Sequence, residues 1–204
     1  MEHVIHFQSN WIDKWIAPNP FIGVLLPPLA DSNVSLSDFA FARDPKNVGE
    51  TALVVSVNKM RLTVVVGLDQ ILFRLINPDW TMAEDLVVLL DSILDALQKF
   101  VAIPIKSQDS TMVFHVTGGP QVLASRTARL INQDQLGNAD FYGVSCKRKG
   151  TSFLLEQSLK YPNGAFFRLE RTFDAPSRFA DVALSLYEDE QNALELLGLG
   201  GILP

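Results

Sequence analysis

At 204 residues and 22.6 kDa, the chain can bury roughly 70% of its unfolded surface if it folds as one unit. Hydrophobic residues make up 48% and charged residues only 20%, with a mean hydropathy of +0.16, a balance that excludes intrinsic disorder. Seventeen Lys and Arg against 23 Asp and Glu give a formal charge of −6 and a pI near 5.0, which opposes binding to a nucleic-acid polyanion.

The first residues, Met1 to His6, have no basic stretch leading into an apolar core, so no secretory signal is expected. His3 to Gln8 alternates as a strand does, with Ile5 and Phe7 on one face and Val4, His6 and Gln8 on the other, and is expected as an edge strand. From Trp11 to Asp31 the chain is too apolar for a solvated linker. Pro18, Pro20, Pro27 and Pro28 argue against a regular helix there, which predicts an irregular arm packed on the body. The same prolines interrupt the longest uncharged stretch, Trp15 to Ala30, so no membrane span is predicted. Asp44 to Gly49 gathers turn formers and reads as a loop.

Ala52 to Val57, Leu62 to Val66 and Gln70 to Ile76 are β-branched, apolar runs broken by Asn58-Lys59 and Gly67-Leu68-Asp69, the pattern of an antiparallel meander. A helix follows over Met82 to Phe100, with Thr81 as the expected N-cap and Glu84 completing a capping box. Leu86, Leu89, Leu90, Ile93, Leu94, Leu97 and Phe100 share its apolar face, while Glu84, Asp91, Asp95 and Gln98 mark the wet side.

A strand over Thr111 to Val116 and a short helix begun by Pro120 open the second half. Phe141 to Cys146, Ser152 to Leu159 and Ala165 to Phe173 form a second predicted meander, joined at Lys149-Gly150 and Asn163-Gly164. A last helix covers Ser177 to Leu197, with Phe179, Val182, Ala183, Leu186, Ala193, Leu194 and Leu197 on its apolar face. Phe73-Arg74-Leu75 recurs as Phe167-Arg168-Leu169 near the end of each meander, ahead of Asp79 and Asp174; internal duplication and convergence both account for so thin a match. The expected fold is α+β, two antiparallel β-meander-plus-helix modules joined in one compact domain. Residues 1–50 would form the strand and arm, 51–104 the first module and 105–204 the second.

Chemistry is sparse. One cysteine, Cys146, excludes an intramolecular disulfide and multi-cysteine metal sites, and fits a reducing, cytoplasmic compartment. Lys147, Arg148 and Lys149 follow it, yet Lys147 and Lys149 fall on the opposite strand face, so buried packing explains the thiol better than reactivity. Of His3, His6 and His115, only His115, between Phe114 and Val116, is placed to enter a pocket, and no carboxylate or metal-ligand spacing accompanies it. Thr117-Gly118-Gly119-Pro120 ahead of Arg126 and Arg129 lacks the Lys-Ser or Lys-Thr of a phosphate-binding loop, and no dinucleotide fingerprint occurs, so no cofactor and no metal is expected. Acidic residues gather on both long helices, Glu84, Asp85, Asp91 and Asp95 on the first and Glu188, Asp189, Glu190 and Glu195 on the second. Asp91 and Asp95, four apart without a cation between them, would be relieved by a positive partner.

Two functions follow. The first is a non-enzymatic protein-interaction module of adaptor, inhibitor or chaperone type. It would bind a basic protein or a second copy of itself through an apolar surface of Trp11, Trp15, Phe21 and Ile22 rimmed by Asp91 and Asp95. The second is a small-molecule or lipid-binding protein, with enzymatic activity left open, whose pocket between sheet and helices receives His115 or Cys146.

Overall fold

The computed structural model describes residues 1–16, 19–42, 51–77, 80–117, 143–148, 150–161, 164–174 and 176–196. The fold is α+β, with strand pairs that run antiparallel. Two compact units divide the chain: Met1–Asp109 with Phe173–Ala183, and Ser110–Thr172 with Leu184–Pro204. The first unit thus takes in Ile105–Asp109 and, with Phe173–Ala183, the start of the last helix.

In the first unit, β1 (Glu2–Phe7) pairs with β5 (Gln70–Leu75), and β2 (Phe39–Ala42), β3 (Ala52–Val57), β4 (Leu62–Val66) and β5 follow one another as antiparallel neighbours. The predicted meander is β3-β4-β5. The first strand, however, lies between β5 and the start of β6 (Ile105–Thr117) and is no edge. Its inward face, His3, Ile5 and Phe7, is fully buried, and the neighbours on both sides pair the backbone groups that an edge would leave open.

The proline-rich arm is also corrected. Asn19–Leu29 is an α-helix, α1, with Pro27 and Pro28 inside it. Pro20 occupies the first turn, where its missing N–H has no intrahelical acceptor anyway. Each interior proline costs about 3 kcal/mol, but both fall in the last turn, and Phe21, Leu25 and Leu29 at i, i+4 and i+8 are fully buried at about 1.5–3 kcal/mol each. Packing therefore outweighs propensity. Phe21 meets Phe100 edge-to-face at 5.1 Å, which sets α1 against α2 (Ala83–Val101).

Helix α2 buries Leu86, Leu89, Leu90, Ile93, Leu94 and Leu97 of the predicted stripe, but its last buried position is Val101, one residue past the expected end, while Phe100 is half-buried at the margin. Its N-cap is not Thr81. Trp80–Met82 forms a 3-10 turn that carries the chain one residue further, so Met82 takes the cap position without a side-chain cap bond. Helix α3 (Phe179–Leu196) begins in this unit with Phe179 and Val182 buried. Phe179 packs edge-to-face on Phe73 at 5.1 Å and on the His3 ring at 4.9 Å.

In the second unit β6 continues from Ser110, and the neighbours run β6-β9-β8-β7, with β7 (Gly143–Arg148), β8 (Thr151–Gln157) and β9 (Gly164–Phe173) forming the second predicted meander. Phe114 and Phe167 stack at a tilt, 4.6 Å apart, and Leu155, Phe167, Leu169 and Leu186 are buried. Of the predicted α3 stripe, Ala183 is exposed, and the side chains of Ala193, Leu194 and Leu197 lie outside the described residues. So do the Asp44–Gly49 loop, Asp79, Lys149, Asn163 and the whole stretch from Gly118 to Tyr142 with Pro120, Arg126 and Arg129. No helix among the described residues is long and apolar enough to cross a membrane.

Candidate functional site

The surface expected of the apolar arm is largely inside the molecule. Trp11 and Phe21 are fully buried, and the Trp11 indole Nε1 donates to the Gly67 carbonyl at 2.9 Å, so both residues hold the first unit together. Ile22 is half-buried against the same core. Trp15 lies in the 3-10 turn Ile12–Ile16, and its side chain is outside the described residues.

The acidic rim is engaged as well. The Asp95 carboxylate takes both of its bonds from Arg178 Nη1, at 2.9 and 3.0 Å, and Asp91 Oδ1 accepts the backbone N–H of Phe179 at 3.1 Å. Asp91 thus caps from outside the first residue of α3, where unsatisfied N–H groups attract a carboxylate. The cation missing from the helix sequence comes from residue 178. Buried Gln108 on β6 completes this clamp: its Nε2 donates to the Ser177 carbonyl at 3.1 Å and its Oε1 accepts the Ser177 N–H at 2.5 Å. On the second helix, Asp189 accepts from Arg171 at 2.7 Å and from Thr151 Oγ1 at 3.4 Å, again an internal use of an acidic residue.

His115 is exposed on β6, with its Nδ1 2.8 Å from the hydroxyl of buried Ser158 and its ring edge-on to Tyr161 at 5.4 Å. A serine beside a histidine invites comparison with a nucleophile and its base. Here, Ser158 Oγ already accepts the N–H groups of Lys160 at 3.2 Å and Tyr161 at 3.0 Å. Both lone pairs of the hydroxyl are committed to closing the turn after β8, which leaves its proton for His115 and no lone pair aimed at a substrate. Cys146 sits on β7 opposite Phe153 in the register, and its side chain is outside the described residues. Among the described residues no group of three His, Cys, Asp or Glu is disposed to hold a metal ion.

His3 is the buried histidine that the sequence did not single out. Burial holds its pKa down at about 4, against a smaller upward pull from Asp109, so the ring is neutral among Phe173 and Phe179. It belongs to the core.

What the structure adds is the other face of the first sheet. The register places Val4 beside Leu72, Leu72 beside Val65, Val65 beside Val54 and Val54 beside Ala40, one apolar residue on each of five strands. The four larger side chains are half-buried, and none joins the core shared by the helices or packs against it. Glu2, Arg74, Thr63 and Ser56 form a polar row on one side, the first two joined by a 2.7 Å ion pair. His6 and Gln70 begin the row on the other side, which ends in the small residues Ala52 and Ala42. The sequence held a signal for this face in Leu53-Val54-Val55 and Val64-Val65-Val66, where apolar residues run on without alternation, as they do in strands covered on both sides.

Where the polar row meets the end of the β3-β4 hairpin lies a pocket of about 390 Å³ lined by Ser56, Asn58, Arg61, Thr63, Ile76 and Asn77 among others. Arg61 (φ 50°) and Asn77 (φ 47°) both adopt the left-handed conformation there.

No protein-family description matches the sequence. Nor does any curated protein. A solved structure that aligns with it, a conserved hypothetical protein from Pyrococcus furiosus, shares 12% identity over 98% of this chain and 93% of its own, with a TM-score of 0.19, too slight a likeness to inform fold or function.

Proposed function

We propose that this protein is a non-enzymatic interaction module whose first sheet receives a basic amphipathic helix of a protein partner across its outer face. The apolar row Val4-Leu72-Val65-Val54-Ala40 carries this reading. Five strands spaced about 4.8 Å apart make the row about 19 Å long, which a helix of about 13 residues spans. Its width selects the occupant. Neighbouring rows lie about 7 Å away along the strands, and the row of Glu2, Arg74, Thr63 and Ser56 is wholly polar. A second sheet packed face to face would bury that row, whereas a helix about 10 Å across rests on the apolar row and leans toward Ala52 and Ala42. The charge of −6 favours basic residues on the flanks of such a helix, and the single cysteine supports a reducing, cytoplasmic setting.

The test uses a 14-residue Leu/Lys peptide with an amphipathic helical pattern, a scrambled peptide of the same composition, and the full chain followed by fluorescence anisotropy. Saturable binding of the patterned peptide alone, weakened at least tenfold by Leu72→Lys with an unchanged melting temperature, is the expected result. Equal binding of both peptides, or indifference to Leu72→Lys, would overturn the proposal. So would a wild-type homodimer in light scattering that Leu72→Lys dissociates, since it would assign the face to a second copy.

A further inference from the structure

We infer that the hairpin pocket around Arg61 is a binding site for a small oxyanion, a carboxylate or phosphate group carried on a compact ligand. The juxtaposition is chemical as well as concave. Among the described residues of the lining Arg61 is the one formally charged, and no carboxylate among them accompanies it. Ser56 and Thr63 are register partners on β3 and β4, so two hydroxyls stand side by side on one wall, while the amides of Asn58 and Asn77 supply further N–H donors. All four residue types donate to oxygen. Ile76, largely exposed, gives the rim an apolar side for the remainder of the ligand.

The guanidinium is positioned before any ligand arrives. Its Nη1 donates to the Asn77 carbonyl at 2.7 Å, and the Ile76 N–H donates back to the Arg61 carbonyl at 3.2 Å, tying the hairpin to the segment after β5. One N–H is spent on this anchor and four remain in the same plane, the geometry that suits bidentate contact with an oxyanion. Among the described residues Arg61 has no acidic partner within ion-pair distance. Both Arg61 and Asn77 hold left-handed backbone, which brings their side chains to the pocket at a cost that glycine would avoid.

The experiment is an amide chemical-shift titration of the full chain with sodium phosphate and, separately, sodium butyrate, against sodium chloride at equal ionic strength. Saturable shifts at Asn58, Arg61, Thr63 and Asn77 are expected with at least one oxyanion and not with chloride; the preferred arm separates phosphate from carboxylate. Arg61→Gly, which accepts the same backbone angle, should weaken binding at least tenfold, and Thr63→Val several-fold. Linear shifts common to all three salts would overturn the inference, as would wild-type titration curves from both Arg61→Gly and Thr63→Val.

Discussion

The first hairpins of the two meanders pose the same backbone problem and meet it with different residues. Between β3 and β4 the chain turns at Arg61 (φ 50°), and between β7 and β8 it turns at Gly150 (φ 82°). Glycine adopts this conformation freely, whereas a side chain there costs about 1–2 kcal/mol. In the second unit the turn only has to close, and its carbonyl accepts from Thr172. In the first unit the turn also has to present a guanidinium to a pocket. Two like pieces of topology thus separate a residue required by the backbone from one retained for its side chain.

The matched tripeptides diverge in the same manner. Phe73 and Phe167 are both buried, as are Leu75 and Leu169. Arg74, by contrast, reaches across to Glu2 on the neighbouring strand, while Arg168 pairs with Glu170 two residues along its own. The inward positions repeat because any meander under a helix needs them; the outward ones follow local neighbours.

The largest effects should come from the helix stripes of the two units. Replacing Leu90 on α2 or Leu186 on α3 with Ala should each cost ~2–5 kcal/mol through lost burial and an unfilled cavity. The three tryptophans, at positions 11, 15 and 80, all fall in the first unit, whereas circular dichroism reports both. Urea melts followed by the two signals should coincide for the wild type, and separate curves for Leu186→Ala alone would show that the second unit unfolds by itself.

Next is pH. His3 has its pKa lowered from 6.5 to about 4 in the folded chain, so its neutral form is the folded form and the unfolded chain binds the proton first. Stability should therefore be unaffected above pH 6.5 and fall as pH drops from 6.5 toward 4, by up to ~3 kcal/mol. The group facing the ring that opposes this is Asp109. Denaturation of wild type and His3→Phe between pH 7 and 4 checks it: the substitution should remove the slope in that window. An unchanged slope would exclude His3 as its source.

Smaller still is the cap on α3. Asp91→Ala leaves the Phe179 N–H without its carboxylate and should cost ~1 kcal/mol, and Asp95→Asn should destabilise in the same direction by weakening the Arg178 pair. The sequence alone suggested the opposite, that neutralising these two residues would relieve repulsion, because the compensating cation lies 83 residues away. Smallest is the turn exchange. Arg61→Gly relieves left-handed strain but gives up the bond to the Asn77 carbonyl, so it should lower the melting temperature less than Gly150→Ala, which destabilises by ~1 kcal/mol. A loss from Arg61→Gly as large as that from Gly150→Ala would break the comparison of the two hairpins.

Periodicity in the sequence was enough to determine β3, β4, β5, β8 and β9, the buried stripe of α2 and the α+β class, since these depend on spacings of two and of three to four residues that each segment carries within itself. It also determined that no disulfide or multi-cysteine metal centre could form within the chain. What it could not determine were quantities set by distant neighbours. Three buried side chains made a helix of the Pro-rich arm, partners on both sides moved β1 from the edge, and Arg178 and the start of α3 turned an acidic rim into a clamp. The candidate sites belong to this second kind: a row of five side chains drawn from five strands exists only once register is fixed, and a pocket built from residues 56–63 and 76–77 only once β5 has returned beside β4. Register and return are decided by the summed burial of the whole inner face, which no single segment encodes.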